Sequence, residues 1–244
     1  MAYLIGNGTA TKPMTAMFVG IGTGKLAPVE KIMAGTGSGA TQIWPGKRIF
    51  HDDFGLENFY LSTSRWASIG TAPYNLMQSG GNGYLWGSTT DGTWTGLAAY
   101  REPTDTFDQY VNARIGVTGA TTLLTSLHVH SAIDCSSYVS AEWRGNTITL
   151  RAQTPQGSIT WGTATMTQAV GRQWELTAHE NPDTGIFTYT VHANGIDVIH
   201  WDDTTHYIPK NATTKHLGWG SQFRRALYID SRGPRISEWR GGDL

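Results

Sequence analysis

Charged residues are scarce in this chain. Asp, Glu, Lys and Arg make up 15% of its 244 residues, against the usual quarter. The 18 Lys and Arg nearly balance the 19 Asp and Glu, and no basic run is present. That excludes nucleic acid as the main partner, because phosphate neutralisation needs clustered cations. The single cysteine, Cys135, cannot close an internal disulfide, so it leaves the compartment open. It sits in Asp134-Cys135-Ser136-Ser137 without a nucleophile signature and reads as a small buried or half-buried residue. No apolar stretch approaches the roughly 18–20 residues that cross a bilayer, so no membrane span is expected. Residues 16–22 are apolar, but only Lys12 precedes them and glycines interrupt the run, unlike a signal peptide. The expected route out of the cell is a particle freed by lysis. No segment carries a sustained 3.6-residue apolar stripe, which excludes a helical architecture.

What the chain does have is aromatic mass and a repeat. Ten Trp, ten Tyr and seven Phe can fill a sizeable core without disulfide staples. Met17 to Gly24 recurs 15 residues later as Ile32 to Gly39, with Gly20, Gly22 and Gly24 answered by Gly35, Gly37 and Gly39. Each copy continues into a short strand-like tail, Lys25 to Val29 and Ala40 to Trp44. Alternating glycines between short apolar runs predict β-hairpin tips. Two small hairpins bury no core of their own, so they need the rest of the chain or another subunit. Phe18, Gly20, Gly22, Gly24, Met33, Gly35, Gly37, Gly39 and Trp44 are therefore candidate docking residues. A homo-oligomer or a larger assembly is expected rather than a free enzyme. Pro45-Gly46 closes this segment, dividing the chain into residues 1–46 and 47–244.

From Lys47 onward, strand signals recur every 8–14 residues. Examples are Gln109–Val117, Tyr138–Trp143 and Thr147–Ala152. In Gly185–His192, Phe187, Tyr189 and Val191 share one face, while Thr188, Thr190 and His192 share the other. Asn194-Gly195 is the strongest turn, suited to type I′ geometry. Residues 226–230 also read as a strand. Many short strands over about 195 residues predict an all-β, antiparallel two-sheet sandwich.

The order of several segments carries a resemblance. His51-Asp52-Asp53-Phe54 precedes Ser64-Arg65-Trp66; then come Tyr138 to Leu150, Phe187 to Trp201 followed by Asp202, His216 to Gly220, and Gly233 to Trp239. Together they resemble concanavalin-A-like (laminin G/lectin-type) jelly rolls. With the N-terminal hairpins added, the whole is similar to minor tail proteins of bacteriophages that infect actinobacteria. Their N-termini carry short aromatic-Val-Gly-x-Gly-Gly hairpins ending near a Trp, much as Phe18–Gly24 and Trp44 do here. The resemblance implies a virion protein, located in the tail or alternatively on the capsid surface. Its implied partners are other virion proteins and host-envelope glycans.

The same sandwich hosts endoglucanases, whose retaining members carry Glu and Asp at alternating positions of one strand. No Glu-x-Asp spacing is present, and Glu142 and Glu175 each stand alone in a strand. The chain is therefore expected not to be an enzyme, with a cell-wall polysaccharide depolymerase as the alternative. Gly20 to Leu26 is one residue short of a phosphate loop and has Leu26 where Ser or Thr must meet magnesium. His128 and His130 share a strand face at metal-ligand spacing, but no third ligand is identifiable, so exposed, solvated histidines are expected. Asp202 and Asp203 could contribute to a calcium site, although an ordinary turn also explains them; no other cofactor is suggested. Sugar rings stack on aromatic faces, which makes Trp94 (in a loop-like stretch), Trp161 and Trp201 candidate carbohydrate-binding residues. Trp66, Trp143, Trp174, Trp219 and Trp239 are expected in the core.

Overall fold

The structure, a computed structural model, describes residues 47–55, 59–70, 76–87 and 90–244, together with strand residues 18–22, 25–28, 32–35 and 40–44. It divides into two compact units, Met1–Lys47 and Arg48–Leu244. In the first, Phe18–Gly22 pairs antiparallel with Lys25–Pro28, and Ile32–Gly35 with Ala40–Trp44. These are the two hairpins that the repeat predicts. Gly24, Gly37 and Gly39, assigned to the hairpin tips, lie outside the described residues.

The second unit is two antiparallel sheets. The front sheet runs Gly157–Thr165, Thr147–Thr154, Tyr138–Arg144, Leu124–Ser131, His216–Ala226, Gly92–Tyr100, Trp66–Gly70, and Ile229–Arg232 joins it beside His216–Ala226. The back sheet runs Ile196–Asp203, Phe187–Ala193, Gln173–Glu180, Gln109–Val117, Arg235–Asp243, Asn82–Leu85, Leu76–Ser79, Phe59–Tyr60, with Ile49–Asp52 also beside Arg235–Asp243. Period-two patterning explains the layering. Val139, Ala141 and Trp143 enter the core, which leaves Ser140, Glu142 and Arg144 on the open face. The core is aromatic, and the five tryptophans expected there are all fully buried.

The His51-Asp52-Asp53-Phe54 motif has a physical role in this core. Asp52 is buried; its Oδ2 accepts from Trp66 Nε1 at 2.7 Å and its Oδ1 from the Phe54 amide at 2.9 Å. One carboxylate thus ties the opening strand to the central indole, which packs edge-on against Trp239 at 4.8 Å. A buried carboxylate is tolerable when its oxygens are occupied in this way.

Tight hairpins close several strands. Gly80-Gly81, Asn194-Gly195 and Leu227-Tyr228 all place both central residues at positive φ (56° and 71°, 52° and 78°, 50° and 67°). The stretch 226–230, predicted as strand, is therefore the tip of a hairpin between His216–Ala226 and Ile229–Arg232. Its apolar residues mimic a strand in sequence.

Candidate functional site

The open face of the front sheet holds a hollow of about 450 Å³ lined by Thr121, Glu142, Arg144, Gly145, Asn146, Thr147, Thr149 and Arg151. Its floor is the hairpin formed by Tyr138–Arg144 and Thr147–Thr154, in which Glu142 lies directly across from Thr149 and Arg144 from Thr147. Strand alternation aims the polar residues of both strands outward together. Burial raises the carboxyl pKa of Glu142, and Arg151, Arg144 and the Ser140 hydroxyl pull it back down. Ser140 Oγ stands 3.5 Å from Glu142 Oε1. Arg151 Nε is buried and meets no hydrogen-bond partner among the described residues. The hollow therefore combines one acceptor of raised proton affinity with two guanidinium donors and a rim of threonine hydroxyls. Such a lining suits a ligand with many hydroxyl groups.

Glu142 is the single carboxylate that the described strands Gly92–Tyr100, Leu124–Ser131, Tyr138–Arg144, Thr147–Thr154, Gly157–Thr165 and His216–Ala226 contain. Ser140 and Arg144 occupy the positions two residues to either side, where a second acid would share its face. Further along the same row, Tyr138 stacks on His128 with ring centroids 4.3 Å apart. His128 Nε2 is 2.8 Å from Ser126 Oγ.

The histidine pair is not solvated. Burial pushes His128 down to about 3 and His130 to about 4, so both are neutral. A register shift between His128 and Ser131, with His130 at φ 48°, breaks the period of two. His128 consequently faces Tyr138, while His130 turns to the Tyr189 hydroxyl and the Phe107 carbonyl, each 2.8 Å away. They cannot serve one metal ion together.

The tryptophan candidates are placed differently from one another. Trp94 belongs to the strand Gly92–Tyr100 rather than to a loop, and its half-buried ring stacks on Phe223 at 5.7 Å. Trp161 and Trp201 stand on edge strands of opposite sheets and stack face to face, 5.9 Å apart and 9° from parallel. Trp161, 9% exposed, lies beneath; Trp201, 38% exposed, keeps the accessible face. Only Trp201 of that pair can offer a ring to a sugar. None of the three lines the polar hollow.

Asp202 and Asp203 occupy opposite faces of their strand. Asp202 accepts from the Thr188 hydroxyl at 2.6 Å. Asp203 is buried and accepts from the amides of Thr205 and Tyr207 and from the Thr205 hydroxyl. The second carboxylate organises a turn, and the two do not converge on a common ion. Among the described residues, no group of three or more His, Cys, Asp or Glu is placed to hold a metal. Cys135 is buried, and burial drives its thiol up to about 12, so it does not supply a thiolate nucleophile at neutral pH.

Solved structures share this architecture. A protein of unknown function from Shewanella oneidensis MR-1 aligns with a TM-score of 0.55 at 13% identity, over 80% of this chain and 86% of that one. The endo-1,3-β-glucanase of Streptomyces sioyaensis aligns at 0.52 and 10%, over 80% and 96%. β-Agarase A in complex with oligoagarose aligns at 0.55 and 9%, over 81% and 94%. The fold is a concanavalin-A-like jelly roll. No family model and no curated protein matches the chain.

One expectation is corrected by these alignments. The missing Glu-x-Asp pattern argues against an enzyme, yet structures of this fold include a glucanase and an agarase. Glu-x-Asp along one strand is only one arrangement of catalytic carboxylates. An open sheet can also gather them from neighbouring strands and loops, so the fold leaves catalysis open.

Proposed function

We propose that the jelly roll recognises a polysaccharide through the Glu142–Arg144–Arg151 hollow, with Tyr138 as the aromatic surface further along the same strand. The observation that carries this reading is the hollow itself. It is a concave, polar cavity on an open sheet, where Glu142 can accept from sugar hydroxyls while the two arginines and three threonines donate. The glucanase and agarase of the same fold act on polysaccharides, which supports the ligand class. Trp201 is a secondary aromatic contact at the sheet edge; Trp161 supports it from beneath, and Trp94 is too far embedded against Phe223 to lead.

The setting we propose is a bacteriophage particle, in the tail in preference to the capsid surface. The tandem hairpins, with Phe18, Gly20, Gly22, Gly24, Met33, Gly35, Gly37, Gly39 and Trp44, would dock the subunit onto other virion proteins or onto further copies of this chain. The jelly roll would then face the host envelope. The support is the repeat and its resemblance to actinobacteriophage tail proteins.

A second reading, polysaccharide cleavage, is favoured by the raised pKa of Glu142, which is what a general acid needs. It also requires a second carboxylate about 5–10 Å away across the sugar ring.

One experiment separates the two. The full-length chain is incubated with intact actinobacterial cells and with purified envelope polysaccharides, and reducing-sugar release is followed in the same tubes. Saturable binding without release, lost in Glu142→Gln and Arg151→Gln, is the expected result. Release abolished by Glu142→Gln establishes the hydrolase. Absence of binding on every surface overturns both readings.

A further inference from the structure

Of the three tight hairpins with both central residues at positive φ, two carry the residues that this backbone favours, Gly80-Gly81 and Asn194-Gly195. The third carries Leu227 and Tyr228, at φ 50° and 67°. Bulky side chains are rare in that region of backbone space. Neither residue gains a place in the core in return: Leu227 is 80% exposed, Tyr228 87%, and the adjoining Ile229 69%. Three large apolar side chains thus stand in water on a backbone that disfavours two of them. Unfavourable local choices held on a rigid frame mark contact sites.

The surroundings indicate what is contacted. The hairpin from Gln222 to Arg235 carries Arg224, Arg225, Arg232 and Arg235 against Asp230 alone, a net charge of +3 in a chain whose total is −1. The acids facing the tip are Asp91, whose carboxylate accepts from the Leu227 amide at 3.2 Å, and Asp230, which pairs with Arg225 and Arg232. Counting Asp91, the tip remains at +2. Arg224 is exposed and lies three positions before the apolar triplet, with Arg225 and Ala226 between them. Arg232 and Arg235 are held over the Tyr84 ring, and Arg232 also over Trp86 and Phe223, which fixes the base of the hairpin.

We propose that this tip inserts into an anionic lipid surface, with Leu227, Tyr228 and Ile229 entering the interface and Arg224 and its neighbours meeting the headgroups. A convex apolar tip within a basic collar matches the two attractions that hold a protein on such a surface. Tyrosine also favours the boundary between hydrocarbon and water. A second copy of the chain is the less suitable occupant, because the described hollow on the sheet face is lined by charged and polar groups and offers no apolar socket for the tip. This inference does not depend on the polysaccharide reading and stands or falls separately.

The test is sedimentation of the full-length protein with phosphatidylcholine vesicles, with and without added phosphatidylglycerol. The expected result is pelleting that increases with phosphatidylglycerol and declines with salt. The double substitution Leu227→Asn with Tyr228→Gly installs the residues preferred by the turn, so it should fold at least as well while losing about tenfold or more of the binding. Arg224→Ser should weaken binding to the anionic vesicles alone. No pelleting of the parent, or equal pelleting of the double variant, overturns the proposal. A parent dimer that the double variant splits, without lipid binding, overturns it in favour of a contact between copies.

Discussion

The hairpins tipped by Asn194-Gly195 and by Leu227-Tyr228 share a backbone and their flanking residues, an Ala before the turn and Ile-Asp after it, and differ in the two residues at the tip. The first joins Phe187–Ala193 to Ile196–Asp203 with residues that accept left-handed φ at little cost. The second joins His216–Ala226 to Ile229–Arg232 with two that do not, at about 1–2 kcal/mol each. Geometry alone therefore did not select the second pair. The same contrast separates two acids drawn away from water. Asp52 has both oxygens engaged by donors of the core, whereas Glu142 has a weak contact from Ser140 and two arginines that look outward with it. Both tips stand in solvent, so burial separates only the two acids; in each comparison one member obeys local rules and the other departs from them.

Acidification gives the largest expected effect and tests how strict the interior is. His128 and His130 have their folded pKa depressed from 6.5 to about 3 and about 4. The unfolded chain binds protons there that the folded chain refuses, so stability falls as pH drops from about 6.5 toward those values. At its steepest the slope is about 2.7 kcal/mol per pH unit for two protons. Denaturant midpoints across that window should show the loss, and a flat profile would show that the interior is wetter than the structure has it. Next in size, Asp52→Ala should cost about 3 kcal/mol, because the Trp66 indole and the Phe54 amide lose their acceptor. Installing Asn-Gly at 227–228 should raise stability by about 2 kcal/mol, and moving Leu-Tyr to 194–195 should lower it by a similar amount. Thermal melting reads both, and equal and opposite shifts would confirm that only the tips differ. The smallest change is Glu142→Gln. A raised pKa means that the folded state loses stability as pH rises through it, so the amide should melt slightly higher at neutral pH, by less than about 1 kcal/mol. A lower melting point would place Glu142 among the structural acids with Asp52.

Much of the fold was legible because period-two burial writes itself into residue order. The run Tyr138–Arg144 announces its strand, Asn194-Gly195 its turn, and the five core tryptophans their fate. Residues 226–230 misled because an apolar strand and an apolar hairpin tip look alike in composition, and only the backbone angles at Leu227 and Tyr228 distinguish them. The bulge at His130 was hidden for a related reason, since one extra residue in a strand leaves no compositional trace. The site was less legible than the fold. Glu142 was visible as an isolated acid, but Arg151 and Thr149 become its neighbours only through the register of the Gly145-Asn146 hairpin. Trp161 and Trp201, read as two separate sugar platforms, form a single stack because their edge strands meet across the sandwich.

That stack makes the molecule its own optical gauge. The two indoles belong to different sheets, so their electronic coupling depends on the distance between the layers and not on either layer alone. Nearly parallel rings at 5.9 Å should give a coupled signal in near-ultraviolet circular dichroism. Losing that signal while the backbone spectrum persists would report the sheets parting along one margin before either one frays.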